Sequence, residues 1–143
     1  MKAKDLMTPA VECISPDMQL REVARIMKSE DLGFVPVCQN DRLVGTITDR
    51  DIVLRAIAEG KDTRDCRVQD VMTPGVFWCY DDQTADEVAE YMASREIRRV
   101  VILDRDKRLA GVISIGDLAK SGKQQKAGEA LRDIAAAPPA RVA

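Results

Sequence analysis

Apolar and polar positions alternate along this chain with two different periods, and each period appears twice. Leu20, Val23, Ala24 and Met27 follow the i, i+3, i+4, i+7 spacing of an amphipathic helix, and Ala85, Val88, Ala89 and Met92 repeat it in the same phase. Asp17 stands ahead of the first stripe, and Asp82 or Thr84 ahead of the second, where a side-chain oxygen can take up the free N–H groups of a helix start. After each helix come two strand-like runs. Phe34 to Cys38 and Leu43 to Thr48 are joined by the polar turn Gln39 to Arg42, and Arg99 to Leu103 and Leu109 to Ser114 by Asp104 to Arg108. Val11 to Ile14 and Val76 to Cys79 read as short strands after a Thr-Pro turn, and closing helices begin near Arg50 and Gly116.

The duplication holds residue by residue. Asp5-Leu6-Met7-Thr8-Pro9 recurs as Asp70-Val71-Met72-Thr73-Pro74, an offset of 65 that also carries Glu22-Val23-Ala24 onto Glu87-Val88-Ala89 and Val35 onto Val100. A one-residue insertion in the second turn makes the offset 66, which maps Leu43, Gly45, Ile47 and Asp51 onto Leu109, Gly111, Ile113 and Asp117. The fold class expected is therefore α+β, with tandem βαββα repeats. A unit of some 60 residues buries only about 60% of its surface, so the two are expected to pack as a pseudo-two-fold pair through their sheets. The organisation predicted is a first motif over 1–60, a linker over 61–68, a second motif over 69–121 and a tail over 122–143. Leu131 and Ile134 give that tail a weak helical pattern that Pro138-Pro139 ends, so it reads as frayed or as an arm that docks on a partner subunit.

Composition narrows the function classes. Apolar residues make up 45% but aromatics only 3%, so the core is aliphatic. Charged residues reach 32% yet nearly cancel to a formal −2, which gives the chain no global attraction to nucleic acid or an anionic membrane. Met1 to Leu6 has no apolar secretory core, and the apolar run Val100 to Leu103 is far short of a membrane span. Cys13, Cys38, Cys66 and Cys79 lack CxxC spacing and the chain has no His, so the expectation is a cytoplasmic protein with reduced thiols. Cys38, at the end of an apolar run, is the best candidate for a disulfide or redox role.

No catalytic constellation stands out: no His base, GxSxG elbow, GxxxxGK[ST] loop or GxGxxG. The informative stretch is Gly45-Thr46-Ile47-Thr48-Asp49-Arg50-Asp51-Ile52, mirrored by Gly111-Val112-Ile113-Ser114-Ile115-Gly116-Asp117-Leu118. Each puts a hydroxyl at a strand end and an Asp three residues on. A single instance reads as a helix capping box. Its repetition raises a second reading, in which the carboxylate accepts hydrogen bonds from ribose hydroxyls while the Thr or Ser and the helix N–H groups face phosphate.

The Asp-x-Met-Thr-Pro openings, the Gly33-Phe34-Val35-Pro36-Val37 strand and the Gly-x-Ile-[Thr/Ser]-x-x-Asp-[Ile/Leu] closings, in this order and in duplicate, resemble a CBS-domain pair, or Bateman module, from Lys4 to about Ser121. The resemblance is to the short stand-alone bacterial members. It implies a regulatory, non-enzymatic module that needs no cofactor, binds AMP, ADP or ATP in the crevice between the repeats, forms a homodimer and signals to an unknown target protein. By position it assigns Asp51 and Asp117 to ribose, Thr48 and Ser114 to the vicinity of the phosphates, and apolar slots for adenine to Val11, Ile14, Val35 and Val37 or to Val76, Val100 and Ile102. Basic residues mark the phosphate end: Arg98 and Arg99 in the second repeat, where the first has Gly33 and Phe34, and Arg50 in the first, where the second has Gly116. Asp49 repels phosphate, so one strong and one weak site are expected. Val101 departs from the pattern set by Pro36. Two alternatives stand beside the sensor: a dimerisation or adaptor module with vestigial sites, and a redox- or metal-responsive pair using the cysteines.

Overall fold

The computed structural model describes residues 1–9 and 13–136. They fall into two compact units that do not coincide with the two sequence repeats. One is contiguous, Glu12–Val76; the other is split, Met1–Val11 with Phe77–Ala143. Each repeat's Asp-x-Met-Thr-Pro opening therefore belongs to the unit built by the other repeat.

In the contiguous unit, helix α2 (Leu20–Glu30) precedes the hairpin of β2 (Phe34–Gln39) and β3 (Arg42–Thr48). Its two-residue turn, Asn40-Asp41, has both residues at positive φ (53° and 62°), the geometry that matches strand twist and favours Asn and Asp. A closing helix follows as α3 (Asp49–Ile52), continued by a π-helical turn over Val53–Ile57. The short helix α4 (Val68–Val71) then leads to β4 (Thr73–Pro74), which pairs antiparallel with β3 through Gly45↔Pro74 and Thr46↔Thr73. Glycine is required at 45: a Cβ there would sit 2.7 Å from the Thr73 carbonyl oxygen. Ile14, Leu20, Val23, Val35, Val37, Ile47, Ala56, Val68 and Val71 are among the buried side chains of this unit's core.

The split unit repeats the plan with the opening borrowed from the N-terminus. Helix α1 (Ala3–Leu6) and β1 (Thr8–Pro9) precede β5 (Trp78–Tyr80), α5 (Ala85–Arg95), β6 (Arg99–Leu103), β7 (Leu109–Ser114) and α6 (Ile115–Lys120). The sheet order is β1-β7-β6-β5. Strand β1 pairs with β7 through Thr8↔Val112 and Pro9↔Gly111, and a Cβ on Gly111 would lie 2.6 Å from the Thr8 carbonyl oxygen. The glycine of each closing motif is thus explained by the Thr-Pro segment lying across it.

Four expectations need correction. The first is the tail. Residues 124–135 form a regular helix, α7 (Gln124–Ala135), that lies on α5 and α6 of its own unit and buries Ala127, Ala130 and Ile134. Leu131, paired with Ile134 in the sequence reading, is exposed instead; Pro138-Pro139 lie outside the described residues. The second is the start of α2, where Asp17 makes no side-chain cap: the Leu20 N–H donates to the Cys66 carbonyl (3.0 Å), so backbone from the 61–68 segment does that work. Thr84 does cap α5, in a box with Glu87. The third is the first short strand. Val11 and Glu12 lie outside the described residues, and Ile14 makes a single parallel bridge to Val37, whereas β5 pairs with β6 over three residues.

The fourth is the thiol state. Cys13 and Cys38 form a disulfide with Cα atoms 5.7 Å apart, so four reduced thiols is wrong for this pair. Cys66 and Cys79 are free and buried. Burial, helped by the charge of Glu87, pushes the Cys79 thiol up to about 12, and burial raises Cys66 as well.

Candidate functional site

Both closing motifs fold into reciprocal capping boxes. In the contiguous unit the Thr48 N–H donates to Asp51 Oδ2 (2.9 Å) and the Asp51 N–H to Thr48 Oγ1 (3.0 Å). In the split unit the Ser114 N–H donates to Asp117 Oδ2 (2.9 Å) and the Asp117 N–H to Ser114 Oγ (3.1 Å). The structural role that one motif suggests is therefore real in both, and it consumes one oxygen of each carboxylate.

The other oxygen separates the two. Asp51 is buried, 3% exposed, and its Oδ1 lies 3.9 Å from Arg55 Nε. Arg55 is itself held by hydrogen bonds from Nη1 to the carbonyls of Val71 and Met72, each at 3.2 Å. Arg55 thus ties the closing helix to the segment carrying β4, with the buried Asp51 carboxylate beside its guanidinium. Asp117 is half-buried, and among the described residues its carboxylate makes no hydrogen bond or ion pair beyond the capping box. Its second oxygen is uncommitted.

Charge follows the same asymmetry. The Ile115 N–H donates to the Arg98 carbonyl (2.9 Å), and Arg99 is the register partner of Ser114, so both exposed arginines stand at the hydroxyl end of the motif. In the contiguous unit the matching bond runs from the Asp49 N–H to the Gly33 carbonyl (3.1 Å), and the Asp49 carboxylate lies over Gly33, 3.3 Å from where a Cβ would stand. An acid thus occupies the place of Arg98. Arg50 is exposed beside it, its N–H bonded to Asp49 Oδ1 (2.8 Å).

The apolar slot residues are not all brought to the hydroxyls. Side chains alternate across a strand, and cross-strand partners share a face. Phe34 pairs with Thr48 and Pro36 with Thr46, so these four share one face, while Val35↔Ile47 and Val37↔Gly45 share the other. Val35, Val37 and Ile14 fill the core on that opposite side. In the split unit Arg99↔Ser114 and Val101↔Val112 share the hydroxyl's face, whereas Val100 and Ile102 lie on the core side. Ile14, Val35, Val37, Val100 and Ile102 are therefore core side chains. Val76 is half-buried, and Val11 lies outside the described residues. The apolar residues that do share the hydroxyl's face are Val101 and Val112, whose counterparts are Pro36 and Thr46, with Phe34 opposite Thr48; strand parity counted back from Ser114 and Thr48 identifies them.

The sequence profile of the CBS domain matches residues 3–57 and again 68–123. This chain belongs to the CBS domain family. It is 36% identical over 132 residues to the CBS domain-containing protein YhcV of Bacillus subtilis, covering 92% of this chain and 93% of that one. A solved structure of Hypoxic Response Protein I with two coordinated zinc ions is 29% identical, with a TM-score of 0.74 over 84% of this chain and 98% of that one. CBSX2, from Arabidopsis thaliana, in its complex with AMP, has a TM-score of 0.71 at 23% identity over 87% of this chain and 98% of that one, a likeness of fold. Among the described residues no group of three or more His, Cys, Asp or Glu side chains could hold a metal ion, and no helix there is long and apolar enough to cross a membrane.

Proposed function

We propose that this CBS-domain protein is a regulatory module that senses an adenine nucleotide at the Ser114/Asp117 motif and passes the signal to a partner protein. The observation that carries this reading is the uncommitted carboxylate oxygen of half-buried Asp117, on the same motif as Ser114, whose strand register partner is Arg99 with Arg98 next to it in the chain. A carboxylate so placed accepts charge-assisted hydrogen bonds from a ribose diol, and guanidinium groups at the hydroxyl end suit phosphate. The AMP-bound CBSX2 shows that the same fold accommodates such a ligand in another protein.

The Thr48/Asp51 motif is assigned a structural role, because Asp51 is buried beside Arg55 and Asp49 brings a carboxylate over Gly33 next to that motif, which disfavours an anion. The module is proposed to act as a homodimer without catalysis. Ligand would change its affinity for the partner only by as much as it prefers one conformation over another.

Titration calorimetry with AMP, ADP, ATP and NAD tests the reading. Saturable binding of an adenine nucleotide, lost in Asp117→Ala and kept in Asp51→Ala, is expected. No heat and no thermal stabilisation with any of the four would remove it in favour of an adaptor module.

A further inference from the structure

The sheet of the split unit carries further side chains on the face of Ser114. Strand β5 runs parallel to β6 in the register Trp78↔Val101, Cys79↔Ile102 and Tyr80↔Leu103. Cys79 and Ile102 are core side chains, so alternation turns Trp78 and Tyr80 to the opposite face. Across the sheet Trp78, Val101 and Val112 stand in one row, and Arg99 and Ser114 in the next. Trp78 is two strands across and two residues along from Ser114, about 12 Å between backbones at ordinary sheet spacing. A nucleoside held at Ser114 and Asp117 and laid over Val112 and Val101 would cross most of that gap, and the indole reaches in from the far side.

The indole is braced. The Tyr80 ring meets it edge-on with centroids 4.9 Å apart, and the Arg105 guanidinium lies 3.9 Å from the centroid of Tyr80. Arg105 is held in turn by a two-point pair with Asp82, from Nε to Oδ2 (2.8 Å) and from Nη2 to Oδ1 (2.9 Å). A ring already fixed by its neighbours loses little freedom when a ligand stacks on it. The contiguous unit is built differently here. The offset of 65 puts Cys13 where Trp78 stands and Ser15 where Tyr80 stands, and Cys13 is tied to Cys38 in the disulfide. This contrast has the same direction as Asp117 against the buried Asp51 and Arg98 against Gly33.

We propose that Trp78 is the wall on which the base of the nucleotide stacks, and that it gives the Ser114/Asp117 motif a preference for purine over pyrimidine nucleotides. The inference rests on the reading of that motif as a nucleotide site and names the residue that selects the base. The side chains in the row between the indole and β7 are those of Val101 and Val112, which offer a base edge no hydrogen bond. Contact with the face of the base is then what tells one base from another, and the fused rings of a purine present more of it.

Trp78 is the one tryptophan of the chain, so its emission reports on this position without a label. AMP should quench that emission saturably, at the midpoint found by calorimetry. UMP should bind about tenfold more weakly, the scale of base stacking on one aromatic side chain. Trp78→Leu should weaken AMP by about tenfold and UMP by less, which erases the preference, and Trp78→Phe should keep most of it. Asp117→Ala should weaken both nucleotides alike. Circular dichroism checks that the variants fold, and the quenching and the AMP-to-UMP ratio of the wild type need no variant. AMP binding that Asp117→Ala removes but that leaves the emission and the Trp78→Leu affinity unchanged would overturn the inference alone. Equal affinities for AMP and UMP in the wild type would do the same. No binding of either nucleotide would remove both this inference and the reading of the motif.

Discussion

Removing the Cys13–Cys38 disulfide should weaken the contiguous unit by a calculable amount. The bond closes a loop across a sequence separation of 25 that contains Ile14, all of α2 and most of β2. A loop of that length loses about 12 cal/mol/K of chain entropy when it is closed in the unfolded state, or about 3.5 kcal/mol at 25 °C. Among the described residues the backbone there is held by one bridge, Ile14↔Val37, with hydrogen bonds from the Ile14 N–H to the Pro36 carbonyl (3.2 Å) and from the Cys38 N–H to the Ile14 carbonyl (2.9 Å), beside the buried Ile14 side chain. The split unit, with Trp78 and Leu103 at the equivalent positions, has three rungs of parallel ladder there instead. Cys13 is exposed and Cys38 half-buried, so serine fits both sites.

Urea unfolding of the Cys13→Ser/Cys38→Ser variant, followed by far-ultraviolet circular dichroism, is the assay. With a denaturant slope of about 1.5 kcal/mol/M, the loss lowers the midpoint by about 2 M. Reducing the wild-type bond with a phosphine should give the same shift, which separates the cross-link from any effect of serine itself. Hydrogen exchange at the Ile14 and Cys38 amides should accelerate in both cases. A shift below about 0.5 M, or one seen in the variant but not on reduction, would refute the reasoning.

Other outcomes follow from the same geometry. Gly111→Ala drives a Cβ to 2.6 Å from the Thr8 carbonyl and should cost about 2 kcal/mol, read as a lower unfolding temperature with faster exchange in β1. Asp51→Ala should destabilise by about 2 kcal/mol because it leaves the buried Thr48 N–H unpaired, while Asp117→Ala, half-exposed, should cost about 1 kcal/mol; thermal unfolding ranks them, in the reverse of their expected order in nucleotide binding. The Cys79 thiol, raised to about 12, stays protonated in the folded state while the unfolded thiol ionises near 9. Stability should then fall as pH rises between those values, and Cys79→Ala should flatten that part of the urea-midpoint profile. Thiol titration of the native oxidised protein should find Cys66 and Cys79 unreactive, and find two thiols after denaturation without reductant.

The elements were legible where the information is local. The hairpin β6–β7 falls on the residues expected, and β2–β3 extends by one residue at Gln39 and Arg42, because two-residue periodicity and a turn need no knowledge of the rest of the chain. What escaped is nonlocal. The repeat announces that Thr8-Pro9 and Thr73-Pro74 are equivalent, but nothing in either peptide says which hairpin it joins. The pairing of Cys13 with Cys38 and the docking of α7 likewise depend on tertiary approach. At the site, the hydroxyl–acid spacing is enough to identify a capping motif, whereas residue type alone does not tell that Val35, Val37 and Val100 lie on the face opposite Thr48 and Ser114. The asymmetry between the motifs was partly visible, in Gly33 against Arg98; the role of Arg55 in occupying Asp51 was not.

The traded openings bear on how such a chain could arise. A chain with one repeat would leave the edge beside its glycine unfilled, and two such chains could fill both edges by lending each other their Asp-x-Met-Thr-Pro segments. Fusing them end to end would leave these contacts unchanged while converting a bimolecular exchange into one within a single molecule, at a local concentration on the order of millimolar. After fusion neither half is free to leave with its own opening. The repeat boundary is therefore not a place to divide the protein: a fragment cut after residue 60 would keep β1 without its partner β7 and lose the β4 that covers Gly45.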